Sequence, residues 1–167
     1  MAIDTSNPSS GSTYEAIYDT GIVINPSKHS VAEGYNTEAS GDYSHAEGYS
    51  TIASGTASHA GGYVSSGTIV ASSIGSFAYG YVKSDGTISA IGDGAVAMGY
   101  ADESGTISAK GYGAHAEGYV LFGIIDASGT GSHAEGYNTA ALADGAHSEG
   151  IFSLTLANGA HTEGMYS

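Results

Sequence analysis

The sequence predicts an all-β fold: a parallel β-roll, or β-solenoid, of about nine coils. Three observations predict it. The motif Ser44-His45-Ala46-Glu47-Gly48-Tyr49 returns as Ala114-His115-Ala116-Glu117-Gly118-Tyr119 and as Ser132-His133-Ala134-Glu135-Gly136-Tyr137, with looser copies between and beyond. Its glycine can be followed as Gly34, Gly48, Gly62, Gly80, Gly99, Gly118, Gly136, Gly150 and Gly164, in steps of 14, 14, 18, 19, 19, 18, 14 and 14 residues. Each unit holds two short segments whose side chains alternate with period two, the signature of strands stacked by a repeat.

The short unit justifies its two strands residue by residue. In the first segment His45 and Glu47 point one way, Ala46 and Gly48 the other. In the second, Thr51, Ala53 and Gly55 share a face opposite Ile52 and Ser54. One face of each segment is therefore made of very small residues and packs only against something very close. Two strands folded back on each other supply that closeness, and stacking the units satisfies the backbone groups between neighbours.

In chain order, residues 1–29 read as an N-terminal segment. Residues 1 to about 13 are rich in Ser, Asn, Gly and Pro and are expected to be mobile. Tyr14 to Ile24 reads as a strand capping the first coil, with Ile22, Val23 and Ile24 as its apolar part. Residues 30–167 form the roll, starting with two short coils over 30–57. The central coils, residues 63–131, are widened by insertions that place Ile69, Ile88, Ile107 and Ile125 in one column, each worth roughly 1.5–3 kcal/mol if buried. There the motif itself turns apolar, with Phe77 and Val96 replacing His and Tyr79 and Met98 replacing Glu, which points to a dry, better-packed middle. The last coils return to the short spacing with oilier second segments. Leu154 and Leu156 fall in the columns held by Glu38 and Ser40 in the first coil.

Composition narrows the function. The chain has 167 residues, 27 of them glycine and 13 tyrosine, with no cysteine, so disulfides and thiolate chemistry are excluded. The net charge is −14, carried against only three lysines (Lys28, Lys83, Lys110), which argues against nucleic acid and anionic lipid as partners. No apolar run is long enough to span a membrane, so no membrane insertion is expected. Met1 to Asn7 has neither a basic region nor an apolar core, so no signal peptide is expected. No phosphate loop, nucleophile elbow, zinc-protease motif or calcium-loop spacing is present. Asp85-Gly86, Asp93-Gly94 and Asp144-Gly145 read as turns.

Ser30-Val31-Ala32-Glu33-Gly34 and Ala95-Val96-Ala97-Met98-Gly99 resemble the Ser-Val-Ala-Ile-Gly-x-x-Ser-x-Ala-x-Gly-x-x head repeat of trimeric autotransporter adhesins, the YadA-like heads. The His-Ala-Glu-Gly version is similar to the variant found in phage neck and tail fibres. The resemblance covers residues 30–167. It implies a left-handed roll and a homotrimer, although the general preference for right-handed crossovers would give the other hand. It also implies an extracellular or virion-surface location. The chain departs from the adhesin plan in showing no signal, no membrane anchor and no heptad stalk.

Three sets of residues are candidates for function. The first is the His-x-Glu column with its apolar replacements: His45, Glu47, His59, Phe77, Val96, Met98, His115, Glu117, His133, Glu135, His147, Glu149, His161 and Glu163, with His59 and Glu33 as lone partners. These positions face the trimer interface that the resemblance implies, where inter-chain His–Glu pairing would relieve charge repulsion. Imidazoles and carboxylates also suit divalent metals, so a metal-binding roll is the alternative. The second is a ladder for a surface receptor or glycan: Tyr35, Tyr49, Tyr63, Tyr81, Tyr100, Tyr119 and Tyr137. The third is a set for head-to-tail stacking into a filament: Ile22, Val23, Ile24, Ile151, Phe152, Leu154 and Leu156. No catalytic residue and no cofactor are expected, because the one column with catalytic residue types is the repeat itself. The reading is a non-enzymatic structural or adhesive fibre module. A spacer fragment of a larger phage enzyme is a rival, as is an ice- or mineral-binding roll, whose threonine column breaks after Thr37 and Thr51.

Overall fold

The computed structural model describes residues 21–25, as backbone, and 28–167. The mobile start expected for residues 1–13, and the capping strand before Gly21, lie outside the described residues. Every regular element among the described residues is a strand.

The first segments form a ten-stranded sheet. Its strands, in spatial and chain order, are Gly21–Asn25, Ser30–Tyr35, His45–Tyr49, His59–Val64, Phe77–Val82, Val96–Ala101, His115–Val120, His133–Tyr137, His147–Ile151 and His161–Met165. The second segments form an eight-stranded sheet of Glu38–Ala39, Thr51–Ala53, Gly67–Ala71, Gly86–Ala90, Thr106–Ala109, Ile124–Ala127, Ala140–Ala141 and Leu154–Thr155. All pairings within the roll are parallel. Only Gly21–Asn25 runs antiparallel, along the free edge of Ser30–Tyr35, where it takes up backbone groups that would otherwise be unpaired. The result is a parallel β-solenoid of about eight turns. Nine motif copies suggested nine, but the ninth supplies only His161–Met165 and no second-segment strand follows it.

Register puts like on like. Ala32, Ala46, Ala60, Ala78, Ala97, Ala116 and Ala134 stack on the inner side of one sheet, and Ala53, Ala71, Ala90, Ala109, Ala127 and Ala141 on the inner side of the other. Ile69, Ile88, Ile107 and Ile125 are wholly buried between them. The insertions also lengthen the facing strands by one residue, which brings Val64, Val82, Ala101 and Val120 into the same core. Phe77, Tyr79, Val96 and Met98 add nothing to this interior. Alternation puts them on the outer face, so the dry middle comes from the isoleucine column and the residues at the lengthened strand ends.

Where the coil narrows, the isoleucine column continues as threonine. Thr51 pairs with Ile69 in register, and Thr139 follows Ile125. The Thr51 hydroxyl donates to the Glu47 carbonyl oxygen at 2.9 Å. This column is buried, so it cannot be the exposed threonine face that an ice-binding roll needs. The motif serine is buried too: the Ser44, Ser58 and Ser132 hydroxyls donate to the carbonyl oxygens of Gly41, Gly55 and Gly129 at 2.7–2.8 Å, closing the corner before each strand.

The motif glycine is required twice over. Its φ lies between 100° and 157° in all nine copies, a region closed to L side chains. A Cβ on Gly118 would also come within 2.1 Å of the Gly136 carbonyl oxygen in the next coil. The opposite corner needs less. Gly75, Gly94, Gly113 and Gly131 sit there at φ near 60° with open space around them, and Tyr43 and Ala57 hold the same left-handed conformation without being glycine.

These two glycine environments give opposite expectations. Gly118→Ala should destabilise by on the order of 3 kcal/mol or more, since strain and overlap with backbone add. Ala57→Gly should be neutral or stabilising by up to about 1 kcal/mol, as relief of the left-handed penalty offsets added chain entropy. Thermal melts of the two variants check both signs.

Candidate functional site

The outer face of the ten-stranded sheet carries three parallel columns, because positions one, three and five of each strand point away from the alanines. The first holds His45, His59, Phe77, Val96, His115, His133, His147 and His161; the second Glu33, Glu47, Met98, Glu117, Glu135, Glu149 and Glu163; the third the tyrosines. The structure thus brings the predicted interface residues and the predicted aromatic ladder onto one surface. The histidine and glutamate side chains are about one-third exposed, from 31% to 40% except at the last coil.

Stacked carboxylates repel one another, and the imidazoles answer this within the chain. His45 Nε2 hydrogen-bonds Glu33 at 3.2 Å, and His59 Nε2 lies 3.4 Å from Glu47. Glu33 and His59 are therefore not lone groups: each pairs with the neighbouring coil. From His115 onward the pattern changes. The four rings His115, His133, His147 and His161 stack with centroids 4.5–4.7 Å apart and planes within 9°. Each Nε2 approaches the carboxylate of its own coil, and those of His133 and His161 also approach that of the preceding coil, His133 lying 3.3 Å from Glu135 and 3.8 Å from Glu117. The shielded Nε2 atoms of His59, His115, His133 and His147 make no hydrogen bond within the chain. Three trios result whose ligand atoms lie within 4.8 Å of one another: His115–Glu117–His133, His133–Glu135–His147 and His147–Glu149–His161; a fourth, Glu33–His45–Glu47, has one imidazole. A shallow depression lined by Met98, Glu117 and Glu135 runs beside them.

The tyrosine column is continuous. Neighbouring rings from Tyr35 to Tyr137 lie 4.8–5.9 Å apart, mostly with stacked planes. Tyr63 and Tyr119 are the most exposed of them. The column ends at Ile151, which takes the tyrosine register, while Phe152 and Tyr166 stack on each other at the corner. Where the coil first widens, the overhang leaves a cleft lined by Asn36, Glu38, Tyr49, Ile52, Ser65 and Ser66.

Of the end-contact residues, Ile151, Phe152, Leu154 and Leu156 are exposed at the last coil, together with Met165. Ile22, Val23 and Ile24 lie in the strand at the other end of the ten-stranded sheet.

One charged cluster escaped the sequence reading. Asp102, at the corner after Val96–Ala101, is nearly buried. It accepts from Tyr100 Oη at 2.9 Å, from the Glu103 amide at 2.8 Å and from Lys83 Nζ of the previous coil at 3.2 Å. Burial pushes its carboxyl up, but hydrogen bonds from Ser84, Tyr100, the Glu103 amide and Lys83 outweigh that and hold it at about 2. The same bond to Asp102 raises both Lys83 and Tyr100 above their ordinary values. The cluster braces the widest corner and faces no cavity. Its only signal was a lysine and an aspartate 19 positions apart, one coil in this region.

Comparison of the chain with protein-family models, with curated proteins and with solved structures gives no match.

Because the Asp102 carboxyl is depressed in the fold, its contribution to stability is full above the ordinary carboxyl range and is lost as pH falls toward 2. Asp102→Asn should flatten the acid limb of stability against pH between about 4 and 2, relative to the parent. Melting temperatures across that range test it; an unchanged slope would mean the carboxylate is not held.

Proposed function

We propose that this chain is a non-enzymatic structural and adhesive fibre module, a left-handed roll of the YadA-like head type that works as a homotrimer on a virion or cell exterior. The observation that carries the reading is the unbroken register of the outer face. Like residues stack in register along the ten-stranded sheet, with His and Glu columns toward both ends, Phe77, Tyr79, Val96 and Met98 in the middle, and tyrosine from Tyr35 to Tyr137, all only part-covered. Core volume points the same way. Most interior side chains are alanine, so one chain buries little apolar surface and gains from covering a face. In the trimer the His, Glu and apolar columns pack against partner chains. The tyrosine column, set at the strand ends, stays reachable for a glycan or receptor.

Sedimentation tests the assembly: three chains of 16.6 kDa should travel together, and unfolding should depend on protein concentration. Val96→Asp, which places an unpaired charge in the apolar middle of the proposed interface, should weaken association at least tenfold. A folded, monodisperse monomer would sink the reading.

Ile151, Phe152, Leu154, Leu156 and Met165 form an exposed apolar group on the coils around residues 151–165, which favours head-to-tail contact between trimers. Electron microscopy of the parent protein at high concentration should show rods longer than one trimer. Leu154→Asp with Leu156→Asp should return them to single length, and rods unaffected by the pair would exclude this contact.

A further inference from the structure

We propose that the C-terminal histidine stack is a binding site for divalent transition metal ions of the zinc class, two per chain. Each ion is held by two imidazoles from adjacent coils and the carboxylate between them.

Three features point to ions and away from simple ion pairing. The first is convergence. Glu117 presents Oε2 to His115 Nε2 at 3.4 Å and Oε1 to His133 Nε2 at 3.8 Å. Glu149 does the same between His147, at 3.5 Å, and His161, at 4.0 Å. Two donors each about 2.1 Å from a tetrahedral metal stand about 3.4 Å apart, which the closer glutamate–histidine pairs already match, while the paired imidazoles, with centroids 4.5–4.7 Å apart, must tilt toward each other to share an ion. The second is the unused nitrogen. Nε2 of His59, His115, His133 and His147 is shielded and makes no hydrogen bond, although carboxylates are near, and the last three each belong to a trio with two imidazoles. His45, by contrast, hydrogen-bonds Glu33, and its ring stands at 77° to His59. The third is alignment: the stack from His115 to His161 sets every Nε2 between 3.3 and 3.9 Å from a glutamate oxygen, and a tilt of neighbouring rings toward each other would bring two lone pairs onto one ion.

The donor set fixes the ligand class. Two imidazole nitrogens and one carboxylate oxygen suit zinc, nickel or copper over calcium or magnesium. Each imidazole would carry its proton on Nδ1 and give its Nε2 lone pair to the metal. Three protein ligands leave a fourth position for water or another donor.

The stoichiometry follows from lone pairs. A neutral imidazole has one, so His133 and His147, each shared by two of the three trios, can serve only one ion apiece. Full occupancy therefore uses His115–Glu117–His133 and His147–Glu149–His161 and leaves Glu135 unligated. This count needs no partner chain and does not rest on the trimer reading.

The experiment is zinc titration of untagged protein, with native mass spectrometry for the count and the visible spectrum of the cobalt complex for geometry. Two ions per chain are expected, without competition from excess magnesium. His133→Val should leave one ion, bound by His147, Glu149 and His161. His133→Val with His147→Val should leave none, since His115 and His161 then have no neighbouring imidazole. Valine is chosen because Val96 holds the same column, and circular dichroism checks that the variants fold. No binding would overturn the proposal. So would one ion per three chains, which would mark a shared axial site, and so would equal uptake by the double variant, an adventitious ion only. A monomer that binds two ions keeps this proposal and loses the trimer; a trimer that binds none does the reverse.

Discussion

Successive coils approach so closely across the motif glycine that no side chain fits between them. At Gly118 the next coil's carbonyl oxygen occupies the space a Cβ would need, and the same is true from Gly34 to Gly150. Within each coil the small inner side chains let the two sheets lie close together. What lies between them is mostly alanine, serine or threonine, except where an insertion opens the coil enough for isoleucine and valine. A thin interior of this kind is held chiefly by backbone hydrogen bonds between coils, which repeat at nearly every residue of both sheets.

The same tight stacking dictates the surface. When each strand sits on its copy in register, every outer residue meets its own kind about 4.8 Å away. For isoleucine and tyrosine this is favourable, and both form long ladders. For glutamate it is costly, and the chain answers with histidine at the neighbouring column. The acidic character of the whole protein makes this local answer more necessary, since only three lysines are available and Lys83 and Lys110 are engaged with Asp102 and Asp126.

Function on such a scaffold belongs to faces and columns, not to a pocket. The His–Glu–Tyr face can be covered by another chain, can gather ions, or can do both where one coordination position stays open. The tyrosine column and the cleft at the first wide coil are the parts whose shape suits a small polar ligand with a ring to stack. Lys83 and Asp102 tie two neighbouring wide coils together at one corner beside that face.

The sequence by itself determined the period, the two strands per coil and which residues share a face, because glycine spacing and alternation encode all three. It also marked the isoleucine column, since an insertion repeated at one place in each unit must stack. Tertiary structure alone decided how the side chains meet across coils. Glu33 pairs with His45 of the next coil, the later histidines turn parallel, and Lys83 reaches Asp102, because stagger and ring rotation depend on neighbours 12 to 19 residues away. It also decided that Phe77, Tyr79, Val96 and Met98 lie on the outer face and not in the interior, whereas Thr51 already fell with Ala53 on the face that packs. Periodicity says that two positions share a face, but which face is interior depends on where the second sheet packs.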